Sequence, residues 1–261
     1  MKFSAITLLL LTIYAPILSA QKMSGIVAHR GAWKQKKLPE NSIASLREAI
    51  GNEYDGSEFD VRMTADDSLI VNHDPSYHNL KIENCNYTQL IKFGLSNGEK
   101  LPTLREYISE GIRELHKTKL IIEIKPSDIS KQRGKEIARK VVLLVQELKA
   151  QKRVEYISFD YDILLEIHQL DTSAITQYLE GDKDPLQLKQ DGISGCDFHF
   201  SVYQQHPDWI TTTKKNKMIL NVWTVNEEKD LKWAIKNGFD QITTNEPELA
   251  TTLITTEKQA R

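Results

Sequence analysis

The residues best suited to chemistry gather at the ends of apolar runs. His29 and Arg30 follow the run Gly25 to Ala28. Glu58, Asp60 and Arg62 alternate with Phe59, Val61 and Met63, which puts the acidic pair on one face of an extended arm. Ala65-Asp66-Asp67-Ser68 then supplies turn chemistry, so the chain folds back as a hairpin. A four-residue turn there sets Thr64 opposite Leu69, Arg62 opposite Val71 and Asp60 opposite His73. Cross-strand partners lie roughly 4.5 to 5.5 Å apart at Cβ, so Glu58, Asp60 and His73 share a face. Two carboxylates beside an imidazole form a metal or acid–base arrangement, although an isolated pair also fits a solvated face of ordinary charges. Glu123 and Lys125 share a face at the end of a further β-branched run, Lys119 to Lys125.

Charge decides what these groups can do together. Glu58, Asp60 and Glu123 converging without a cation would repel one another and raise one another's pKa. A hard divalent cation resolves this, and all-oxygen ligation favours Mg²⁺, Ca²⁺ or Mn²⁺ over Zn²⁺. Of His29 and His73, one can activate a hydroxyl or water while the other protonates a leaving alcohol. Arg30 and Lys125 add fixed positive charge suited to a phosphoryl oxygen. The set describes phosphodiester cleavage. A glycosidase would instead want a carboxylate pair flanking a sugar bond, without the metal and the cations.

The elements that must position these groups follow a repeating pattern. Pro39-Glu40-Asn41-Ser42 opens a helix from Ile43 to Ile50 with Asn41 or Ser42 as N-cap. The hairpin's return arm is joined too closely for a crossover helix, so it runs antiparallel to its predecessor. Residues 75–101 form a small insertion rich in Asn, Lys and Tyr, whose Tyr77, His78 and Tyr87 are placed to line an opening or simply to cover a surface loop. Helices are expected over 103–117, 129–150, 227–237 and 247–254, and strands over 119–125, 154–159, 174–179, 193–200, 218–225 and 241–244. His199 shares a strand with Asp197 and can face either the site or the scaffold. Without the return arm the strands number about eight, as in a closed (β/α)₈ TIM barrel of the α/β class.

Composition sets the outer bounds. The 261 residues are 40% hydrophobic and 27% charged with a net charge of -2, so no field of one sign advertises nucleic acid or an anionic membrane. Lys2, the apolar run Ala5 to Leu18 and the small pair Ser19 and Ala20 read as a secretory signal, residues 1–20. The run is shorter than the ~20 residues of a spanning helix, so stable membrane insertion is not expected after cleavage. Residues 21–261 then form one barrel domain, exported to the periplasm or secreted. The two cysteines, Cys85 and Cys196, are permitted a disulfide in that compartment but not assigned one.

The ordered series His29-Arg30-Gly31, Pro39-Glu40-Asn41-Ser42, Glu58-Phe59-Asp60-Val61, His73-Asp74, Leu101-Pro102-Thr103-Leu104, Glu123-Ile124-Lys125, Ser158-Phe159-Asp160 and Val222-Trp223-Thr224-Val225-Asn226 resembles the glycerophosphodiester phosphodiesterase family. The resemblance implies a TIM barrel of the phospholipase C-like phosphodiesterase type and hydrolysis of glycerophosphodiesters to glycerol 3-phosphate and an alcohol. It makes His29 and His73 the acid–base pair, Glu58, Asp60 and Glu123 the metal ligands, Arg30 and Lys125 the phosphate contacts, and Trp223 a lining residue near the glycerol end. Ser42 stands where the family commonly has threonine, and the segment after Asp74 departs from the familiar pattern. Lysophospholipase D or phosphatidylinositol-type phospholipase C activity uses related residues and is the enzymatic alternative. A binding barrel without catalysis would be expected to lose a histidine or a carboxylate, and all five are in place.

Overall fold

Strands covered on both faces read as near-continuous apolar runs, and the runs in this sequence fold as such strands. The structure is a computed structural model and describes residues 23–260; the predicted signal segment, residues 1–20, lies outside the described residues. In chain order the strands are β1 (Gly25–Ala28), β2 (Gly56–Met63), the return arm β3 (Leu69–Val71), the short pair β4 (Ser76–Tyr77) and β5 (Leu80–Lys81), then β6 (Lys119–Ile124), β7 (Val154–Ser158), β8 (Thr176–Tyr178), β9 (Gly195–His199), β10 (Ile219–Trp223) and β11 (Gln241–Thr244). β1, β2 and β6 to β11 run parallel and close on themselves, since β1 pairs with β11 on one side and with β2 on the other. This is the closed eight-strand parallel barrel, with helices outside, that the sequence pattern predicts.

The helices are α1 (Ile43–Gly51), α2 (Tyr87–Leu90), α3 (Leu104–Gly111), α4 (Lys131–Glu147), α5 (Tyr161–Leu170), α6 (Pro185–Gln190), α7 (Phe200–Gln205), α8 (Pro207–Lys215), α9 (Glu228–Asn237) and α10 (Pro247–Ala260). Outward-facing strand residues such as Phe59, Val61, Ile122 and Val222 join Leu46, Tyr107, Val141 and Ala234 of the helices in one core cluster. Burying each large side chain of this kind contributes about 1.5 to 3 kcal/mol. The inward faces carry the charged residues of the site beside a second, smaller apolar cluster of Val27, Ile121, Ile157 and Leu179.

Several boundaries differ from the sequence expectation. The helix expected over 103–117 ends at Gly111, where a Cβ would stand 2.7 Å from the Leu120 side chain, so the absence of a side chain lets the last turn approach the strand. The helix expected to end at Ile254 continues to Ala260 despite its threonines, because Thr251, Thr252, Thr255 and Thr256 each donate a hydroxyl to the carbonyl four residues earlier. Gly238 does close α9, in the left-handed conformation that favours glycine.

The hairpin is antiparallel, as required, but its register differs by one residue. Met63 pairs with Leu69, Arg62 with Ile70 and Val61 with Val71. The turn takes in Thr64 as well: its amide donates to Ser68 O, its hydroxyl oxygen accepts from Ser68 N, and Asp67 supplies a left-handed φ of 61°. Asn72, not His73, is therefore opposite Asp60, with Asn72 N donating to Asp60 O at 3.0 Å. A one-residue shift sends every side chain to the other face. His73 reaches the interior only because the chain leaves the ladder after Val71, and Arg62 Nε holds the new path by donating to His73 O at 2.9 Å.

The insertion carries a small apolar cluster of its own around Ile70, Tyr77, Ile82, Cys85, Leu90 and Leu101. Tyr77 and Tyr87 belong to its framework, donating to Phe93 O and Leu101 O, and His78 stacks on Phe93. Glu83 ties the insertion to the loop after β6, accepting from Ser127 Oγ, Asp128 N and Arg133 Nε. Cys85 lies in this cluster and Cys196 in the main core, both as buried free thiols. Among the described residues no helix is long and apolar enough to cross a membrane.

Candidate active site

The turn after β1 is built for approach. Arg30 and Gly31 both adopt left-handed backbone, φ 57° and 82°, and a Cβ on Gly31 would come within 2.4 Å of Ser45 Oγ. This turn aims Arg30 N at Glu58 Oε2, 2.8 Å away, and its guanidinium at Glu40, with Nη1 2.6 Å from Oε2. Ser42 is the N-cap of α1, accepting from Ser45 N. Asn41 does something else: it is buried with φ 58°, its Nδ2 donates to Asp60 Oδ2 at 2.7 Å, and its Oδ1 accepts from Asp60 N at 3.1 Å.

Glu58, Asp60 and Glu123 meet inside the barrel because Asp60 and Glu123 are register partners on β2 and β6 and Glu58 lies one inward position deeper. They are buried, and each offers a ligand atom within 4.8 Å of the others. Lys125 Nζ stands 2.8 Å from Asp60 Oδ1 and 2.5 Å from Glu123 Oε1. Glu58 Oε1 has no hydrogen-bond partner among the described residues. Burial and the neighbouring carboxylates push Glu58 well above its usual range and Glu123 up to about 7. Burial acts the same way on Asp60, but Lys125, His73 and Asn41 outweigh it and hold Asp60 down at about 2. A hard divalent cation fits this donor set, since it would take up the carboxylate oxygens that burial otherwise penalises.

The imidazoles are oriented by different partners. His29 Nδ1 is 2.8 Å from Asn245 Oδ1; an amide oxygen only accepts, so Nδ1 carries the proton and Nε2 is left as the acceptor, 3.9 Å from Glu58 Oε2. Burial, reinforced by Arg30, lowers His29 to about 4. His73 is more exposed and sets Nδ1 2.8 Å from the Asp74 carboxylate, which leaves Nε2 available.

His29, Arg30, Glu58, His73, Glu123 and Lys125 line one cavity of about 120 Å³ together with Ile157, Phe159, Leu179, Asp197 and Trp223. One side is polar, formed by β1, β2 and β6 and their loops; the other is apolar, formed by β7, β8 and β10. Trp223 meets Phe159 edge-on at 5.4 Å and donates Nε1 to Asp197 O at 2.8 Å. His199 packs on Trp223 at 5.2 Å, hydrogen-bonds Ser201 and supports the wall from behind. A larger depression of about 610 Å³ lies around Glu155 and Gln241 toward the N-terminal ends of the strands, away from all these groups. The reactive side chains single out the smaller cavity.

Of the site residues singled out in the sequence, His29, Arg30, Glu58, His73, Glu123, Lys125 and Trp223 line this cavity, and Asp60 adjoins it through its cluster with Glu58 and Glu123. The contacts of Asn41, Glu40, Asp74 and Asn245 do not follow from the sequence pattern. Glu40, Asn41 and Asp74 stand within quoted motifs, but Asn245 follows β11 with no local signal.

A family model described as the glycerophosphoryl diester phosphodiesterase family matches residues 29–249. The chain is 31% identical over 246 residues to a glycerophosphodiester phosphodiesterase of Caldanaerobacter subterraneus subsp. tengcongensis, covering 88% of this chain and 97% of the relative. A crystal structure of a glycerophosphodiester phosphodiesterase from Parabacteroides distasonis superimposes with a TM-score of 0.89 at 39% identity, covering 92% of this chain and all of that one. A more distant fold relative is an Oleispira antarctica phosphodiesterase in complex with the product sn-glycerol-3-phosphate, with a TM-score of 0.77 at 21% identity, covering 89% of this chain and 97% of that one.

Proposed function

Because the chain belongs to the glycerophosphoryl diester phosphodiesterase family, we propose that it hydrolyses glycerophosphodiesters to glycerol 3-phosphate and an alcohol, with one divalent cation and two histidines. The observation that carries the reading is the convergence of Glu58, Asp60 and Glu123, two of which line the cavity that also holds His29, Arg30, His73 and Lys125. These three carboxylates would hold the cation, Mg²⁺, Ca²⁺ or Mn²⁺ by their all-oxygen donors. When bound, the cation supplies positive charge to the phosphoryl oxygens as they become more negative.

The chain's own groups do the rest. Arg30 and Lys125 draw the phosphate into the polar side of the cavity and stabilise its developing charge. His29, neutral and with Nε2 free, takes the proton of the attacking O–H. His73, oriented by the contact of its Nδ1 with the Asp74 carboxylate, gives its Nε2 proton to the oxygen that leaves as the P–O bond breaks. Phe159, Leu179 and Trp223 exclude water from the opposite side.

Export to the periplasm or beyond is part of the same proposal, supported by the residue pattern of positions 1–20. Assays on glycerophosphocholine, glycerophosphoinositol and lysophosphatidylcholine, scored for glycerol 3-phosphate against lysophosphatidic acid, test the activity with and without each cation. Release of glycerol 3-phosphate supports it. Lysophosphatidic acid as main product, a cyclic phosphate, or no turnover would each overturn the substrate assignment.

A further inference from the structure

We infer that Asp197 accepts a hydrogen bond from a hydroxyl of the glycerol unit and so is a specificity-determining residue of this site; the inference rests on reading the cavity as a glycerophosphodiester hydrolase site. Asp197 belongs to β9, two positions before His199, and so sits one inward layer, roughly 6 to 7 Å, deeper in the barrel. It is 1% exposed, lines the cavity with Glu58, Glu123 and Trp223, and its Oδ1 has no hydrogen-bond partner among the described residues. Its register partner on β10, Asn221, is fully buried, and the Asn221 side chain lies close enough to the Asp197 carboxyl to favour its ionised form.

A buried polar atom left unpaired costs about 1 to 3 kcal/mol, and native interiors rarely leave one. Here a residue that lines the cavity has an acceptor, Oδ1, that no described donor meets in hydrogen-bond geometry. A ligand hydroxyl can donate to it. The site's cations do not serve Asp197: Lys125 bonds Asp60 and Glu123, and Arg30 bonds Glu40. Ile157, Leu179 and Phe159 beside it offer no polar atom in their side chains, but suit the CH₂ groups of a small polyol. With the phosphate held by Arg30 and Lys125, the deep end receives the three-carbon unit attached to it. Asp197 accepts through Oδ1 whether or not the carboxyl is ionised, so the contact does not depend on pH.

The test uses three phosphodiesters of ethanolamine: the glycerol compound and its propane-1,2-diol and propane-1,3-diol counterparts, each lacking one hydroxyl. The wild-type protein should favour the glycerol compound over at least one counterpart by roughly 10- to 100-fold in kcat/KM, the loss expected when a buried polar group loses its partner. Asp197→Leu, which keeps the branched shape without the oxygens, should shrink that preference to within about threefold, mainly through KM. Preference undiminished in the variant would overturn the inference. So would a wild-type protein that treats all three alike, an outcome that stands even if Asp197→Leu does not fold and that leaves ordered water as the occupant of the floor. A wild-type protein that turns over none of the three refutes the proposed activity instead.

Discussion

Asn41 and Asp60 grip each other at two points, Nδ2 to Oδ2 at 2.7 Å and Asp60 N to Oδ1 at 3.1 Å, across a left-handed turn. The grip leaves Asp60 Oδ1 turned toward Lys125 and the carboxylate cluster. Groups that hold a metal ligand in this way commonly account for about 10- to 100-fold in metal affinity. Asn41→Ala should therefore weaken cation binding by that factor, read by calorimetry, with a smaller effect on thermal stability measured with cation absent. Unchanged affinity would mean that Asp60 is held well enough without it.

Chelation should abolish turnover of glycerophosphocholine, and added Mg²⁺ or Ca²⁺ should restore it. Full activity after EDTA would remove the carboxylate cluster from the mechanism.

Cation binding should release protons. Burial and neighbouring carboxylates raise Glu123 to about 7 and Glu58 above its usual range, so below neutral pH the cation-free site carries bound protons. Ligation needs the ionised carboxylates, so affinity falls as pH falls through about 7, by up to tenfold per unit for each proton displaced. Calorimetric titrations at about pH 6 and about pH 8, in buffers of differing ionisation enthalpy, measure both effects. Equal affinity at the two pH values would contradict the assignment of these carboxylates.

His29→Ala and His73→Ala should each slow turnover by about 10² to 10⁴-fold while keeping the fold. The two losses should differ in kind. A substrate with a p-nitrophenol leaving group needs no proton at the departing oxygen, so it should recover much of the loss in His73→Ala and little in His29→Ala. The reverse pattern would exchange the two roles.

Gly31→Ala should destabilise the protein by about 1 to 3 kcal/mol or more, since it combines a left-handed φ of 82° with a Cβ placed 2.4 Å from Ser45 Oγ. Thermal denaturation checks this, and a melting temperature equal to that of the parent would show that the turn after β1 relaxes freely.

Much of the site could be read from residue order. Each strand ends in the residues that face the cavity, and alternation along β2 puts Glu58 and Asp60 on the inner face whatever the rest of the chain does. The hairpin shows where such reading stops. Its turn absorbed Thr64 through a side-chain hydrogen bond, and that local choice moved the register by one residue. The position of His73 then depended on Arg62 binding its carbonyl, a contact between side chain and backbone that alternation does not encode.

Hydrophobic period and motif order in the sequence alone were sufficient for the barrel and for which polar side chains its strands turn inward, because burial of alternate residues is a local property of each strand. The tertiary structure decided how those groups are held and charged. Asn245 on His29, Asn41 on Asp60, Lys125 between two carboxylates and Asp197 at the cavity floor are relationships between distant segments. Their distances and desolvation exist only once the barrel has closed, and with them the different surroundings of two chemically identical histidines.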